Sequence, residues 1–92
     1  MQNPRTSALS IIDHYRKHHR AVYMSNEKNI IYDWTLEEAY YSVLRSHSTP
    51  LAVLEGLLSK YDTWAHSKAR SADDFKIAVS AIDDLIDQLL TS

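Results

Sequence analysis

Apolar positions recur along most of this 92-residue chain in steps of three and four, the spacing that gathers side chains on one face of an α-helix. The pattern is broadest between Ser48 and Lys68. There Leu51, Leu54, Leu58, Tyr61 and Ala65 form one stripe, Val53, Leu57 and Trp64 widen it, and Glu55, Ser59, Thr63 and His66 fall opposite. Thr49 offers a capping hydroxyl, and Pro50 suits the first helical position, where a missing N–H removes no bond. An arc this wide suits a helix with more than one neighbour, so this helix is expected at the centre of a bundle.

Three further helices follow from the same logic. In the first, Thr6 or Ser7 is the expected cap, and the helix runs to about Val22. Ala8, Ile12, Tyr15, His19 and Val22 share its inner face, and Arg16, Lys17 and Arg20 make a basic outer face with Asp13. In the second, Thr35-Leu36-Glu37-Glu38 reads as a capping box, a hydroxyl answered by a carboxylate three residues on. It is expected to run to about Ser46 and to bury Leu36, Ala39, Tyr40, Val43 and Leu44. The last starts at Ser71-Ala72-Asp73-Asp74, with carboxylates near the positive end of its dipole. Phe75, Ala78, Ile82, Leu85 and Leu89 then line its inner face, with Val79, Ile86 and Leu90 alongside and Asp83, Asp84 and Asp87 turned away.

Residues 21–34 lack this period. Asn26-Glu27-Lys28-Asn29 is turn chemistry, and the flanks Ala21–Met24 and Ile30–Tyr32 could pair as a short hairpin. Two strands alone are marginal in water, so an irregular loop packed on the bundle is the favoured reading. The expected fold is thus all-α, one domain over residues 1–92, a four-helix bundle with an irregular or hairpin-like segment at 21–34.

Composition changes this picture little. The apolar fraction of 45% is ordinary for a globular chain, and the length suffices for one core without disulfides or metal. Cysteine is absent, which fits a reducing compartment. No segment approaches the roughly 20 apolar residues that cross a bilayer, and no secretory leader is evident, so a cytoplasmic protein is expected. Net charge is −2, yet residues 1–30 carry +3 and residues 61–92 carry −3, so the two ends suit each other or different partners.

Candidate chemistry is sparse. His14 and His18 stand one helical turn apart, a spacing that lets two imidazoles meet one metal ion, with His47, His66 or an aspartate needed to complete the site. Surface and core histidines are the plainer explanation. The serines sit at caps and turns without a Gly-x-Ser-x-Gly elbow, and the single glycine, Gly56, excludes a glycine-rich phosphate loop. Gly56 lies opposite the central stripe, where a neighbouring backbone could approach. The run HYRKHHR at 14–20, with an aromatic inside it, keeps nucleic acid as a lesser alternative partner. Yet only Arg16, Lys17 and Arg20 carry full charge, and three cations on one helix face are more often a solvated surface. No enzyme and no cofactor are expected.

Aromatic usage says more. Six tyrosines and two tryptophans are many for this length, and tyrosine, tryptophan and arginine dominate interface hot spots. Tyr15, Tyr40, Tyr61 and Trp64 fall on inner faces, but Tyr41 lies outside, beside Glu37 and Arg45. Tyr23, Tyr32 and Trp34 belong to the segment at 21–34. Tyr23, Tyr32, Trp34, Tyr41 and Arg45 are therefore the candidate surface for another protein. In size and composition the chain is similar to small accessory proteins of bacteria and their mobile elements, such as inhibitors, antitoxins and bacteriocin-immunity bundles, which act by binding. That likeness implies a non-enzymatic binding or regulatory module and assigns no individual residue. The alternatives are an immunity-like, membrane-peripheral bundle and a metal-binding helical protein using His14 and His18.

Overall fold

Two helices begin in the same way. Asn3 accepts a hydrogen bond from the Arg5 N–H on its side-chain oxygen at 2.8 Å and one from the Ser7 N–H on its carbonyl at 3.1 Å, with Pro4 next in line. Thr49 does the same for Ala52 and Val53, at 3.4 and 3.1 Å, with Pro50 next. Each cap satisfies N–H groups that have no partner inside the helix. In this computed structural model, which describes residues 3–23, 27–67 and 71–91, the helices are α1 (Pro4–Tyr23), α2 (Glu27–Arg45), α3 (Pro50–Ala65) and α4 (Ala72–Thr91). No strand occurs among the described residues. The expected four-helix, all-α architecture is the observed one, and α1 starts earlier than the Thr6 or Ser7 cap implied.

The first turn of α1, the first turn of α3 and the last turn of α4 meet at one end of the molecule. Residues 31–38 of α2 meet the start of α4 toward the other. Neighbours therefore alternate in direction, as short connections such as Ser46–Thr49 require. The core is continuous through all four helices: Ala8 and Ile12 from α1, Leu36, Ala39 and Val43 from α2, Leu54, Leu57 and Tyr61 from α3, and Ala78, Ala81, Ile82 and Leu85 from α4.

Five expectations need correction. Residues 27–34 form neither a loop nor a hairpin; they are the first turns of α2, while 24–26 lie outside the described residues. Thr35 is thus inside the helix rather than its cap, and its hydroxyl donates to the Ile31 carbonyl one turn back at 2.8 Å, a bond that satisfies a buried hydroxyl without outside help. The central helix is α4, not α3: α4 packs extensively on both α3 and α2 and touches α1, whereas α3 barely meets α1. Leu44, Trp64 and Leu90, placed inside by the wheel, are exposed. A Cβ at Gly56 would meet no atom within 4 Å, so no backbone approaches there.

Candidate functional site

The extension of α2 places Trp34, Glu38, Tyr41 and Arg45 on one helix at offsets of four, three and four residues. That spacing stacks them along a single outer stripe. Trp34 is 64% exposed and Tyr41 41%, and Arg45 is exposed at the end of the row. The Arg45 guanidinium stands 5.6 Å from the centre of the Tyr41 ring, within cation–π range. Tyr40 braces the same ring edge-on, with centroids 5.5 Å apart and planes at 85°. Leu44 adds exposed apolar surface one turn along.

Of the five sequence candidates, the fold brings Trp34, Tyr41 and Arg45 together on this stripe. Tyr32 turns the other way and packs against the core. Tyr23 ends α1, and its side chain lies outside the described residues.

One flank of the stripe borders a groove of about 200 Å³ between α2, α3 and α4, whose lining includes Trp34, Glu38, Tyr61, Asp74, Phe75 and Ala78. Its far wall is an aromatic cluster. Phe75 lies 6.0 Å from Tyr61, near-parallel, and 4.8 Å from Trp64, which is itself 41% exposed. The Lys60 ammonium stands 5.5 Å from the Tyr61 ring and 5.0 Å from Trp64. Burial and then the nearby Glu38 charge push the Tyr61 hydroxyl above its ordinary pKa. The wheel put Tyr61 and Trp64 in the core. Their spacing of three residues was the available sign that they form a joint cluster.

Behind the stripe lies a polar seam that the sequence pattern concealed. Arg16 grips Asp33 with two parallel bonds, Nε to Oδ1 at 3.1 Å and Nη2 to Oδ2 at 3.2 Å, and Nη2 also donates to Glu37 at 3.1 Å. Arg20 Nε adds a bond to Asp33 Oδ1 at 3.0 Å. These arginines therefore clamp α1 to α2 instead of forming a solvated basic face. The Asp33 side chain is only 2% exposed. Burial alone would raise its pKa, but bonds from both guanidiniums outweigh this and hold the carboxyl below its usual value. The bond to Asp33 drives Arg16 upward, against its own partial burial.

Beside this clamp, the Tyr32 hydroxyl donates to Asp84 Oδ2 at 2.5 Å and sits 2.6 Å from the Tyr15 hydroxyl. Because Tyr32 has one proton, Tyr15 must donate to Tyr32, giving a directed chain from α1 through α2 to α4. Burial, then the bond to Asp84, pushes the Tyr32 hydroxyl far above the usual phenol range. His19 stacks on Tyr32 with centroids 4.2 Å apart and planes at 14°. Burial lowers its pKa despite the opposing charges of Asp33 and Asp84. An ionised Asp33 and a firmly protonated Tyr32 fasten helices; neither is tuned to exchange protons near neutrality. The paired spacings of Arg16 with Arg20 and Asp33 with Glu37, each four residues, were the sequence sign of this seam.

His14 and His18 line a separate groove between α1 and the end of α4, with Ser10, Tyr15, Gln88 and Thr91. Among the described residues, no three histidine, aspartate or glutamate side chains are grouped to hold a metal ion. No helix among the described residues is long and apolar enough to cross a membrane. No protein-family model, curated protein or solved structure matches the chain, so the geometry and chemistry of its own residues carry the functional reading.

Proposed function

We propose that the chain is a non-enzymatic protein-binding module that meets its partner through the outer stripe of α2, with Trp34, Tyr41 and Arg45 as anchors. The observation that carries this is the exposure of a tryptophan and a tyrosine, in register with an arginine, on a helix whose opposite face supplies core residues. Burying an aromatic of this size in a partner's pocket is a main source of interface affinity. Tyr40 and Arg45 hold the Tyr41 ring in place before any partner arrives, which reduces the ordering cost of association.

The test uses two single variants of the full chain, Trp34→Ala and Tyr41→Ala. Each should keep thermal stability within about 0.5 kcal/mol of wild type, as expected of exposed positions. Each should weaken affinity for a partner captured by the wild-type chain by at least about 1 kcal/mol. A partner that binds both folded variants as tightly as wild type removes the stripe from the interface. Loss of binding only in step with loss of folding would return Tyr41 to a packing role.

A further inference from the structure

We propose that the groove beside the stripe receives an arginine side chain of the partner, held flat against Trp34 and between the carboxylates of Glu38 and Asp74. This rests on the protein-binding reading above and specifies the partner's chemistry. At about 200 Å³ the groove is smaller than the roughly 300–1,000 Å³ typical of small-molecule sites, which matches one long side chain better than a free ligand.

Its chemistry is divided in the way a guanidinium requires. Trp34, Tyr61, Phe75 and Ala78 supply apolar surface for the methylene stem and π-faces for the planar head, while Glu38 and Asp74 stand in the same lining with negative charge. Among the described residues, neither carboxylate takes part in an ion pair, so both are available to an incoming cation. Asp33 and Asp73, by contrast, already face Arg16, Arg20 and Lys76. Lys60 gives a precedent within the chain, because its ammonium already rests over two rings of the adjoining cluster. Arginine fits better than lysine here: its fork bonds carboxylates bidentately, its plane stacks on aromatic faces, and it loses hydration more readily. The same two carboxylates repel a nucleic-acid backbone and the headgroups of an anionic membrane.

The probe is N-acetyl-arginine methylamide, titrated at millimolar concentration into the ¹⁵N-labelled full chain, with the uncharged citrulline analogue as its matched control. The arginine probe should move the Trp34 indole N–H signal and the amides of Phe75 and Ala78, while the citrulline probe moves them several-fold less. Glu38→Gln should reduce those shifts roughly tenfold at fixed probe concentration, the scale of a lost charge-assisted contact, and Trp34→Ala should reduce the shifts of the Phe75 and Ala78 amides several-fold. Both positions are exposed, and unchanged amide spectra away from the groove confirm that each variant is folded.

Equal shifts from both probes, or shifts centred elsewhere, overturn the assignment. Binding of wild type to phosphatidylserine vesicles that is lost in Trp34→Ala also overturns it, by making Trp34 a membrane contact. If the arginine probe fails while Tyr41→Ala still abolishes partner capture, the groove assignment falls and the stripe stands.

Discussion

The seam between α1 and α2 and the seam between α3 and α4 join neighbouring helices by different means. Leu54, Leu57 and Tyr61 of α3 meet Ala78, Ala81, Ile82 and Leu85 of α4 in one buried apolar cluster, and the two alanines let the helices approach closely. Across the other seam, the closest specific contacts are Arg16 and Arg20 on Asp33, Arg16 on Glu37, and Tyr15 on Tyr32. An apolar seam draws its energy from area removed from water and tolerates small shifts. A polar seam depends on angles and on protonation, and an unmatched group within it is costly. The first therefore supplies most of the stability, and the second fixes how α2 is turned about its axis, which in turn decides that Trp34 and Tyr41 face outward.

The largest expected effects lie in the apolar seam. Leu54→Ala and Ile82→Ala, both at fully buried positions, should each lose about 2–5 kcal/mol in urea denaturation. A loss near zero at either site would break the contrast at its stronger end. In the polar seam, Asp33→Ala should lose about 1.5–3 kcal/mol, the range for bonds to charged groups. The lower half is the better expectation, because Arg20 is half exposed and can return to water.

Acidity separates the seams more sharply. Folded His19 titrates below its ordinary 6.5, so as pH falls through 6.5 the unfolded chain binds more protons and stability drops. Folded Asp33 titrates below its ordinary 3.8, so its contribution, complete above that value, is lost as pH falls through the folded value. Thermal melts should therefore show two stages of acid destabilisation, and Asp33→Ala should remove the lower one. Above about pH 10 the sign reverses, because Tyr32 ionises more easily in the unfolded chain. The smallest effect serves as a control away from both seams. Gly56→Ala, on the exposed side of α3 with free space around it, should stabilise by about 0.5–1 kcal/mol.

The same contrast explains what the sequence revealed. Helices α3 and α4 were legible because their inward positions are apolar, so the wheel found the face, and Thr49-Pro50 marked a true start. The first turns of α2 were not, because two of their inward positions are Asp33 and Thr35. Polar residues at those steps erase the helical period, and Thr35-x-x-Glu38 then imitates a cap. Only a partner helix bearing Arg16 and Arg20 makes Asp33 an inward residue, and that partnership depends on tertiary structure. The candidate site suffered the same fate in part. Tyr41 and Arg45 were found as neighbours on an outer face, whereas Trp34 was assigned to a loop and joined them because the helix continues through it. Tyr32, two residues earlier, was turned inward by the same continuation. Leu44 and Leu90 show the opposite error, since apolarity alone does not say that a neighbour is present.

Helix α1 is attached chiefly to α2 and only lightly to the rest, and Ala8 and Ile12 are its fully buried apolar residues among those described. It is therefore the part of the molecule able to detach while the other three helices stay together. In native-state hydrogen exchange, its amides should share one opening event, of lower free energy than global unfolding. That event should become easier in acid as the Asp33 clamp is protonated. Such an opening would leave a three-helix platform, with α1 as the least embedded member of the bundle. Because Arg16 and Arg20 of α1 set how α2 is turned about its axis, the departure of α1 should also loosen the surface that Trp34, Tyr41 and Arg45 form.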